Sequence, residues 1–292
     1  MRVTQSMLSS NMLRNLSNSY AKMGKLQSQL ETGKKVNRPS DDPVVAMKGI
    51  NYRTAVDKVE QFQRNLGEVN SWLDTSDDTL DKVGSALKRA NELAVQAANG
   101  TNTPDDLKKI KSELNQIREH VQDLANTKIG DKYIFSGTNT TTPLYDRTNN
   151  VYPTLTPPQV SGFEKDVEIE VFDGITLKVN TNAIDLFKNI DQMFKDIEDG
   201  KVEYGDAIGT IDTQMNSLLT TRANIGARQN RAELMDNRLQ SQNLIAKKQM
   251  SENEDIDYEK VITDMITQES IHNAALSVGA RIIQPTLADF LR

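Results

Sequence analysis

The stretch AIGTIDTQMNSLLTTRANIGARQNRAELMDNRL, residues 207–239, opens the longest uninterrupted helical pattern of the chain, which extends from Ala207 to Ile283. A helix of that length would measure about 115 Å at about 1.5 Å per residue, so its partner must also be long. An acidic run from Glu252 to Glu259 interrupts the apolar seam of this helical pattern and marks a candidate joint. Apolar or small residues recur in steps of threes and fours, as in the seam of a coiled coil: Ile208, Ile211, Met215, Leu218, Ile225, Ala232 and Leu239.

The same periodicity predicts four more helices. The first runs from Met12 to Gly33, a natural left-handed cap, and the third follows Pro104 and ends before Gly130. A short fourth helix extends from Ile184 to Gly200. The second helix begins at Pro43, ends near Asn99, and carries the longest seam: Val59, Phe62, Leu66, Val69, Leu73, Ser76, Leu80, Val83, Leu87, Ala90, Ala94 and Ala97.

A small β-rich insert is predicted between Gly130 and Thr181, where the apolar period changes to two and aromatics, prolines and threonines gather. Its clearest element is a hairpin over 167–179. A three-residue loop, residues 172–174 with Gly174 in the left-handed region, keeps apolar residues on one face. That loop would pair Val171 with Ile175, Ile169 with Leu177, Val167 with Val179, and Glu168 with Lys178.

The predicted fold is therefore mainly α: an elongated antiparallel coiled-coil rod made by both halves of the chain, with a small β-rich insert. Three parts are expected. Residues 1–36 and 257–292 form terminal helices that act as an assembly region, 37–130 and 183–256 form the helical rod, and 131–182 form the insert.

Composition excludes several classes of function. The chain has 26% charged residues, 5% aromatics and a formal net charge of -6, without a basic block. It therefore lacks the electrostatic footprint of a nucleic-acid-binding protein. No run approaches the roughly 20 apolar residues of a membrane span, and the N-terminus lacks the pattern of a secretory signal peptide. Cysteine is absent, which excludes disulfides and thiolate chemistry.

The sequence contains no Walker A, dinucleotide-binding or Gly-x-Ser-x-Gly pattern and no cluster of metal-ligating residues. His120 and His272 are the only histidines, and they lie far apart in the sequence. Asp41 and Asp42 invite an acid/base or metal interpretation, but they directly precede a helix that starts with proline, so capping is the better interpretation. The sequence predicts no enzyme, no metal and no cofactor.

Four segments resemble the flagellin superfamily, and within it the proteins of the hook–filament junction. They are Met1–Tyr20, the loop Thr32–Pro43 with its Arg-Pro-Ser-Asp-Asp-Pro, the run Glu254-Asp255-Ile256-Asp257-Tyr258, and the ending Leu287–Arg292. True flagellins look similar at both ends, yet they typically carry alanine where this chain has Pro43. Their opening residues also differ from Met1–Leu8, so both features favour the junction proteins.

The resemblance implies a structural subunit that joins the hook to the filament, exported by the flagellar type III route and finally located outside the cell. Its implied partners are the other junction protein of the hook, flagellin subunits, copies of itself in a ring, and a cytoplasmic export chaperone at the C-terminal region. A filament flagellin and an intracellular coiled-coil scaffold remain the alternatives.

The expected assembly residues lie on narrow apolar stripes of the two termini, for which the sequence offers no third covering element. We expect both ends to be partly disordered in the free subunit and to order against neighbours. The expected structural loop residues are Arg38, Asp41, Asp42 and Pro43. The expected assembly residues are Leu16, Met23, Leu26, Leu30, Leu276, Ile282, Ile283, Leu287, Phe290 and Leu291.

Overall fold

The computed structural model describes residues 5–99, 102–153 and 162–283. Within these ranges it contains six helices and two two-stranded antiparallel sheets. The helices are α1 (Gln5–Thr32), α2 (Pro43–Ala98), α3 (Pro104–Ala125), α4 (Ile184–Glu198), α5 (Tyr204–Glu254) and α6 (Tyr258–Ile283). The strands are β1 (Lys128–Ile129), β2 (Lys132–Tyr133), β3 (Glu168–Phe172) and β4 (Ile175–Lys178). The mainly α fold with a small β insert is confirmed.

The chain forms two compact units. The first contains residues Met1–Lys58 and Gln242–Arg292, and the second contains Val59–Ser241. The boundary falls within α2 and α5, each of which contributes residues to both units.

The second unit is built on the antiparallel pairing of α2 and α5. Asn91 contacts Asp212 at 3.0 Å, whereas the more N-terminal Asp74 accepts from Gln229 of α5 at 2.9 Å. The seam predicted for α2 is buried from Phe62 to Ala97. On α5, from Ile211 onward, the fully buried apolar residues recur every seven positions: Ile211, Leu218, Ile225, Ala232 and Leu239.

The β insert shares its hydrophobic core with these helices. Phe135 packs edge-on against Phe187 of α4 at 5.1 Å between ring centroids, and Val171, Leu177 and Val179 belong to the same buried cluster as the α2 seam. The sequence predicts a terminal assembly region, a helical rod and an insert. The roles assigned to these three parts stay predictions.

The hairpin differs from the prediction at its loop. Pairing of Glu168 with Lys178 and of Ile169 with Leu177 is confirmed, and Gly174 has a positive φ of 69°. The predicted pairing of Val171 with Ile175 is wrong, because Phe172 pairs with Ile175 and the strand bulges between Glu170 and Phe172. A bulge lets two successive residues point towards the helices. Val171 is fully buried, and the Phe172 ring contacts Phe62 of α2 and lies 4.2 Å beneath Arg238 of α5.

The predicted uninterrupted helix from Ala207 to Ile283 is also wrong, since α5 ends at Glu254 and α6 begins at Tyr258. The joint lies within the acidic run, as the interrupted seam indicated. There the backbone leaves the helix to form an antiparallel bridge between Lys34 and Asp255. The side chain of Asp257 then accepts from the backbone N–H of Lys260 at 3.2 Å and caps α6.

In the first unit, α1 and α6 run antiparallel. Ser19 contacts Gln268, and Met12, further towards the N-terminus, packs against Gly279. The sequence placed the start of α1 at Met12, whereas the structure begins it at Gln5.

Candidate assembly site

The helices α1 and α6, called here the terminal pair, meet through one narrow seam. Leu16, Met23, Leu26 and Leu30 of α1 are half-buried, and on α6 Val261 is buried at 9% exposure. Two helices cannot enclose a seam on all sides, so these side chains keep part of their surface in water. The half-burial of the four α1 residues agrees with the apolar stripe that the sequence indicated.

Polar and small residues set the register of the terminal pair. Gln268 Nε2 donates to Ser19 Oγ at 2.7 Å, and the rings of Tyr20 and His272 lie 6.2 Å apart. Gly279 is buried against the end of the Met12 side chain. A hydrogen bond within an apolar seam penalises slipped pairings, because slippage would leave its groups unsatisfied.

Large apolar side chains that remain exposed are concentrated in the first unit. Among the described residues, those of the second unit are only Val95, Val151, Leu219 and Leu234. The others, all in the first unit, are Met7, Leu8, Leu13, Tyr20, Val44, Met47, Ile50, Leu244, Ile245, Tyr258, Ile262, Ile266, Ile271, Leu276 and Val278. The two units therefore differ in how many of their large apolar side chains they leave exposed.

Of the remaining expected assembly residues, the structure describes the side chain of Leu276 alone. Leu276 is 47% exposed and lies off the seam of the terminal pair. Ile282 and Ile283 belong to the backbone of α6, but their side chains are outside what the structure describes. Leu287, Phe290 and Leu291 lie outside the described residues. The assembly role of the whole set stays a prediction.

The loop between α1 and α2 is organised by its two aspartates. Asp42 Oδ1 accepts from the backbone N–H groups of Val44 and Val45 at 3.0 and 3.1 Å, which is the capping geometry expected before Pro43. Asp41 accepts from the backbone N–H of Arg38 at 3.2 Å and donates its own N–H to the Arg38 carbonyl. Both carboxylates thus satisfy backbone groups.

This loop and the α5–α6 joint are held together by a set of contacts called here the clasp: residues 33–35, Gly49, Arg53 and residues 253–256. Lys35 N–H donates to the Glu254 carbonyl at 2.6 Å, and Ile256 N–H donates to the Gly33 carbonyl at 3.1 Å. Gly33 has φ of 70°, and a Cβ there would lie 2.7 Å from the Tyr258 hydroxyl. Only glycine combines that backbone conformation with so close a neighbour.

Glu254 is the central side chain of the clasp, with only 8% of its side chain exposed. Arg53 Nη2 donates to its carboxylate at 2.7 Å, and Lys34 Nζ lies 3.4 Å away. Gly49 lies so close that a Cβ would fall 2.6 Å from Glu254 Oε1. Sequence reasoning recognised the acidic run as a joint but missed this ion pair, because the run itself does not tell which of its carboxylates faces inward.

Arg53 and Lys34 keep the Glu254 carboxylate of the clasp ionised. Burial alone would raise the pKa of Glu254, but the hydrogen bonds and charges of Arg53 and Lys34 outweigh burial and leave that pKa below its ordinary value. The hydrogen bond from Lys34 likewise lowers the pKa of Asp255. The clasp is therefore a charged, ion-paired connection near neutral pH.

A second buried carboxylate, Asp191, lies in the second unit and was also missed. It is 3% exposed, and it accepts from Arg118 Nε at 2.8 Å and from Gln122 Nε2 at 2.7 Å, while Lys195 Nζ lies 2.8 Å away. Burial opposes ionisation, yet these donors keep the pKa of Asp191 below its ordinary value. The signal for Asp191 in the sequence was an acidic residue next to Ile190 on the apolar face of α4. Its contacts fix α3 against α4.

The potential metal-ligating side chains are dispersed over the described residues. Within them, no three His, Asp or Glu side chains gather as a metal site would require. His120 lies on α3 and His272 on α6, so each belongs to a different unit. Over the same residues, no helix has the length and apolarity needed to cross a membrane.

Comparisons with known proteins match both ends of the chain. The family model of the bacterial flagellin N-terminal helical region matches residues 3–140, and that of the C-terminal helical region matches residues 208–291. This chain belongs to the bacterial flagellin family. The two matched regions contain the terminal pair, the clasp, all of α2 and most of α5 of this flagellin-family chain.

Individual relatives are similar along most of the flagellin-family chain. Flagellar hook-associated protein 3 of Salmonella typhimurium is 27% identical over 94% of this chain and 95% of its own length. The crystal structure of Bacillus cereus FlgL is 25% identical, with a TM-score of 0.57 over 69% of this chain and 99% of that one. A Vibrio parahaemolyticus structure described as a flagellar hook-associated protein is 24% identical, with a TM-score of 0.64 over 74% of this chain and 100% of its own, and supports the fold.

Proposed function

We propose that this chain is the structural subunit of the bacterial flagellum that joins the hook to the filament, and that it has no catalytic activity. The observation that carries the proposal is the similarity to hook-associated protein 3, which extends over nearly the whole of both chains. Proteins of this family are structural components of the flagellum.

The distribution of exposed apolar surface supports an assembly role. The seam of the terminal pair stays partly exposed to solvent, and Ile262, Ile266 and Leu276 are exposed on α6. Fully burying one such side chain is worth about 1.5 to 3 kcal/mol, so neighbouring subunits that cover several of them gain considerable stability. An isolated enzyme or an intracellular scaffold gives no reason for such a surface at both ends of one chain.

The finer parts of the proposal concern partners and route. We infer that the assembly region contacts the other junction protein, flagellin subunits and copies of the chain in a ring. Before export by the flagellar type III route, the C-terminal region would be covered by a cytoplasmic chaperone, because its apolar surface would otherwise favour aggregation. After export the protein would be extracellular.

Deletion of the gene in its own bacterium tests the proposal. We expect complete hooks without filaments, and flagellin released into the medium because it finds no junction to grow on. Restoring the gene should restore filaments. Normal filaments in the deletion strain would overturn the proposal.

The same deletion experiment also tests the alternative that this chain is the filament flagellin. If the chain were the filament flagellin, the deletion would leave hooks that still carry both junction proteins and would release no flagellin. Immunoblots for the junction proteins on isolated hooks distinguish the two outcomes.

A further inference from the structure

A groove lies beside the clasp, lined by the α1–α2 loop and the first turns of α2. It has a volume of about 280 Å³, and Val36, Pro39, Val45 and Ala46 form its apolar wall. Ile50 on its edge is 62% exposed, and the neighbouring Met47 is 65% exposed. The groove is thus an apolar surface without a cover in the described parts of the chain.

One cation of this groove is available to a partner. Arg53 is held by Glu254 at 2.7 Å. Arg38 also lines the groove, and within the described residues its guanidinium forms no ion pair, although its backbone contacts Asp41. The groove therefore favours an apolar side chain flanked by a carboxylate.

A stripe on α6 has that chemistry. Glu259, Ile262, Ile266 and Glu269 follow one another at spacings of three, four and three, so they lie on one helix face. All four are exposed, Ile262 at 46% and Ile266 at 60%. This face is distinct from the seam, because Val261 and Gln268 face α1. Neither glutamate forms an ion pair with any described residue.

We propose that the α6 stripe of one copy docks into the groove of a neighbouring copy, with Ile262 and Ile266 against Val36, Pro39 and Ile50, and with one of the two glutamates beside Arg38. The groove and the stripe are both exposed in the same chain, so they do not satisfy each other within it. Two different patches that bind each other make a head-to-tail contact, which repeats to build a ring or a helix of subunits. The inference rests on the proposed function and specifies which surfaces join the copies.

Cross-linking in assembled flagella tests the contact, because the chain has no natural cysteine. The gene is replaced by the double variant Ile50→Cys with Ile266→Cys, and flagella are isolated from motile cells and oxidised. We expect a ladder of covalent oligomers longer than dimers, since every copy carries both halves of the contact. Each single variant should give no ladder.

A matched control uses Ile50→Cys with Leu234→Cys, because Leu234 is exposed at 69% on α5 in the second unit. A ladder of equal strength from this control would show unspecific contact and overturn the inference. Absence of a ladder from the Ile50→Cys, Ile266→Cys variant would also overturn it, provided that an immunoblot finds the chain in flagella of motile cells. Absence of the chain from the flagella would instead contradict the proposed function.

Charge reversal supplies an independent readout in the same flagella. Adding Arg38→Glu to the cross-linking variant should lower the ladder yield several-fold, because like charges then face each other. Adding Glu259→Arg and Glu269→Arg as well should restore the yield. A yield insensitive to Arg38→Glu would refute the proposed ion pair.

Discussion

The buried carboxylate of Glu254 connects three segments of the first unit. It binds Lys34 after α1 and Arg53 of α2 from the end of α5, and the backbone around it pairs with residues 33–35. Its partners are 33% and 60% exposed, so the pair is weaker than a fully buried one, for which loss of one partner costs about 3 to 5 kcal/mol.

We predict that Glu254→Gln lowers the free energy of unfolding by about 1 to 3 kcal/mol at neutral pH, because two cations lose their charged acceptor. Urea unfolding measured at pH 7 checks this value. The matched control is Glu252→Gln, whose carboxylate is 67% exposed and should cost less than about 0.5 kcal/mol. Equal effects of the two variants would contradict the role of Glu254.

The stabilisation by Glu254 should depend on pH. Its pKa is lower in the folded protein than in the unfolded chain, where glutamate has a pKa of about 4.3. The stabilisation is therefore fully present above that unfolded pKa and is lost as pH falls through the folded pKa. The difference in unfolding free energy between the wild type and Glu254→Gln should shrink between about pH 5 and pH 3. A constant difference would argue against the ionised pair.

At the scale of elements, the α2 seam is buried from Phe62 to Ala97 within the second unit. Leu80 is fully buried, whereas Glu68 is 51% exposed and lies 3.8 Å from Lys132. We predict that Leu80→Asp, or Leu73→Asp, lowers the melting temperature far more than Glu68→Ala. Burying a carboxylate without a partner costs several kcal/mol, but an exposed ion pair contributes about 0 to 1 kcal/mol. Similar melting temperatures for the two kinds of variant would refute the seam.

In the hairpin β3–β4, the contribution of the turn to stability can be measured separately from that of side-chain packing. A Cβ at Gly174 would meet no atom within 4 Å, so Gly174→Val should cost only the backbone strain of a positive φ, about 1 to 2 kcal/mol. Phe172→Ala should cost more, about 2 to 3 kcal/mol, since Phe172 packs on Phe62 and beneath Arg238. Both variants should keep the helical circular dichroism of the wild type at 25 °C, and thermal unfolding ranks them. Loss of that helical signal in Gly174→Val would contradict a local effect.

Helix periodicity was the part of the fold most readable from the sequence, because a seam such as Leu66 to Ala97 repeats many times and each repeat supports the next. The interruption at Glu254 was visible only as a joint, since the backbone pairing with Gly33 depends on a segment at the other end of the chain. The bulge at Val171 was not predictable from alternation, because it results from the packing of Phe172 on two helices. The candidate site could be assigned to the termini, but the groove beside Arg38 required tertiary structure.

At the scale of the whole molecule, the two units differ in how completely they bury their apolar residues. We predict that the backbone amides of α1 and α6 exchange hydrogen much faster in the free subunit than those of α2 between Leu66 and Ala94, because few buried contacts hold the terminal pair. Hydrogen exchange with mass spectrometry on dilute protein measures this directly. Strong protection of α1 and α6 would contradict partial disorder of the ends.

Truncation tests whether the ends are needed for assembly. We expect that deletion of residues 286–292, which removes Leu287, Phe290 and Leu291, prevents incorporation into flagella but leaves the second unit folded. Filament formation in cells and thermal unfolding of the purified variant provide the two measurements. Normal assembly of the truncated chain would remove the functional role assigned to these residues.

The clasp and the terminal pair also determine when the chain can fold. Lys34 and Asp255 are 221 positions apart, and Ser19 and Gln268 are 249 positions apart. At about 5 to 20 residues per second, a ribosome needs roughly 10 to 50 s to make the partners of a segment that it has already released. Contacts of such high sequence separation form slowly even afterwards, because closing the loop costs entropy before any contact compensates for it. The first unit is therefore necessarily the last to be completed, and the nascent N-terminus spends its entire synthesis without its native partner.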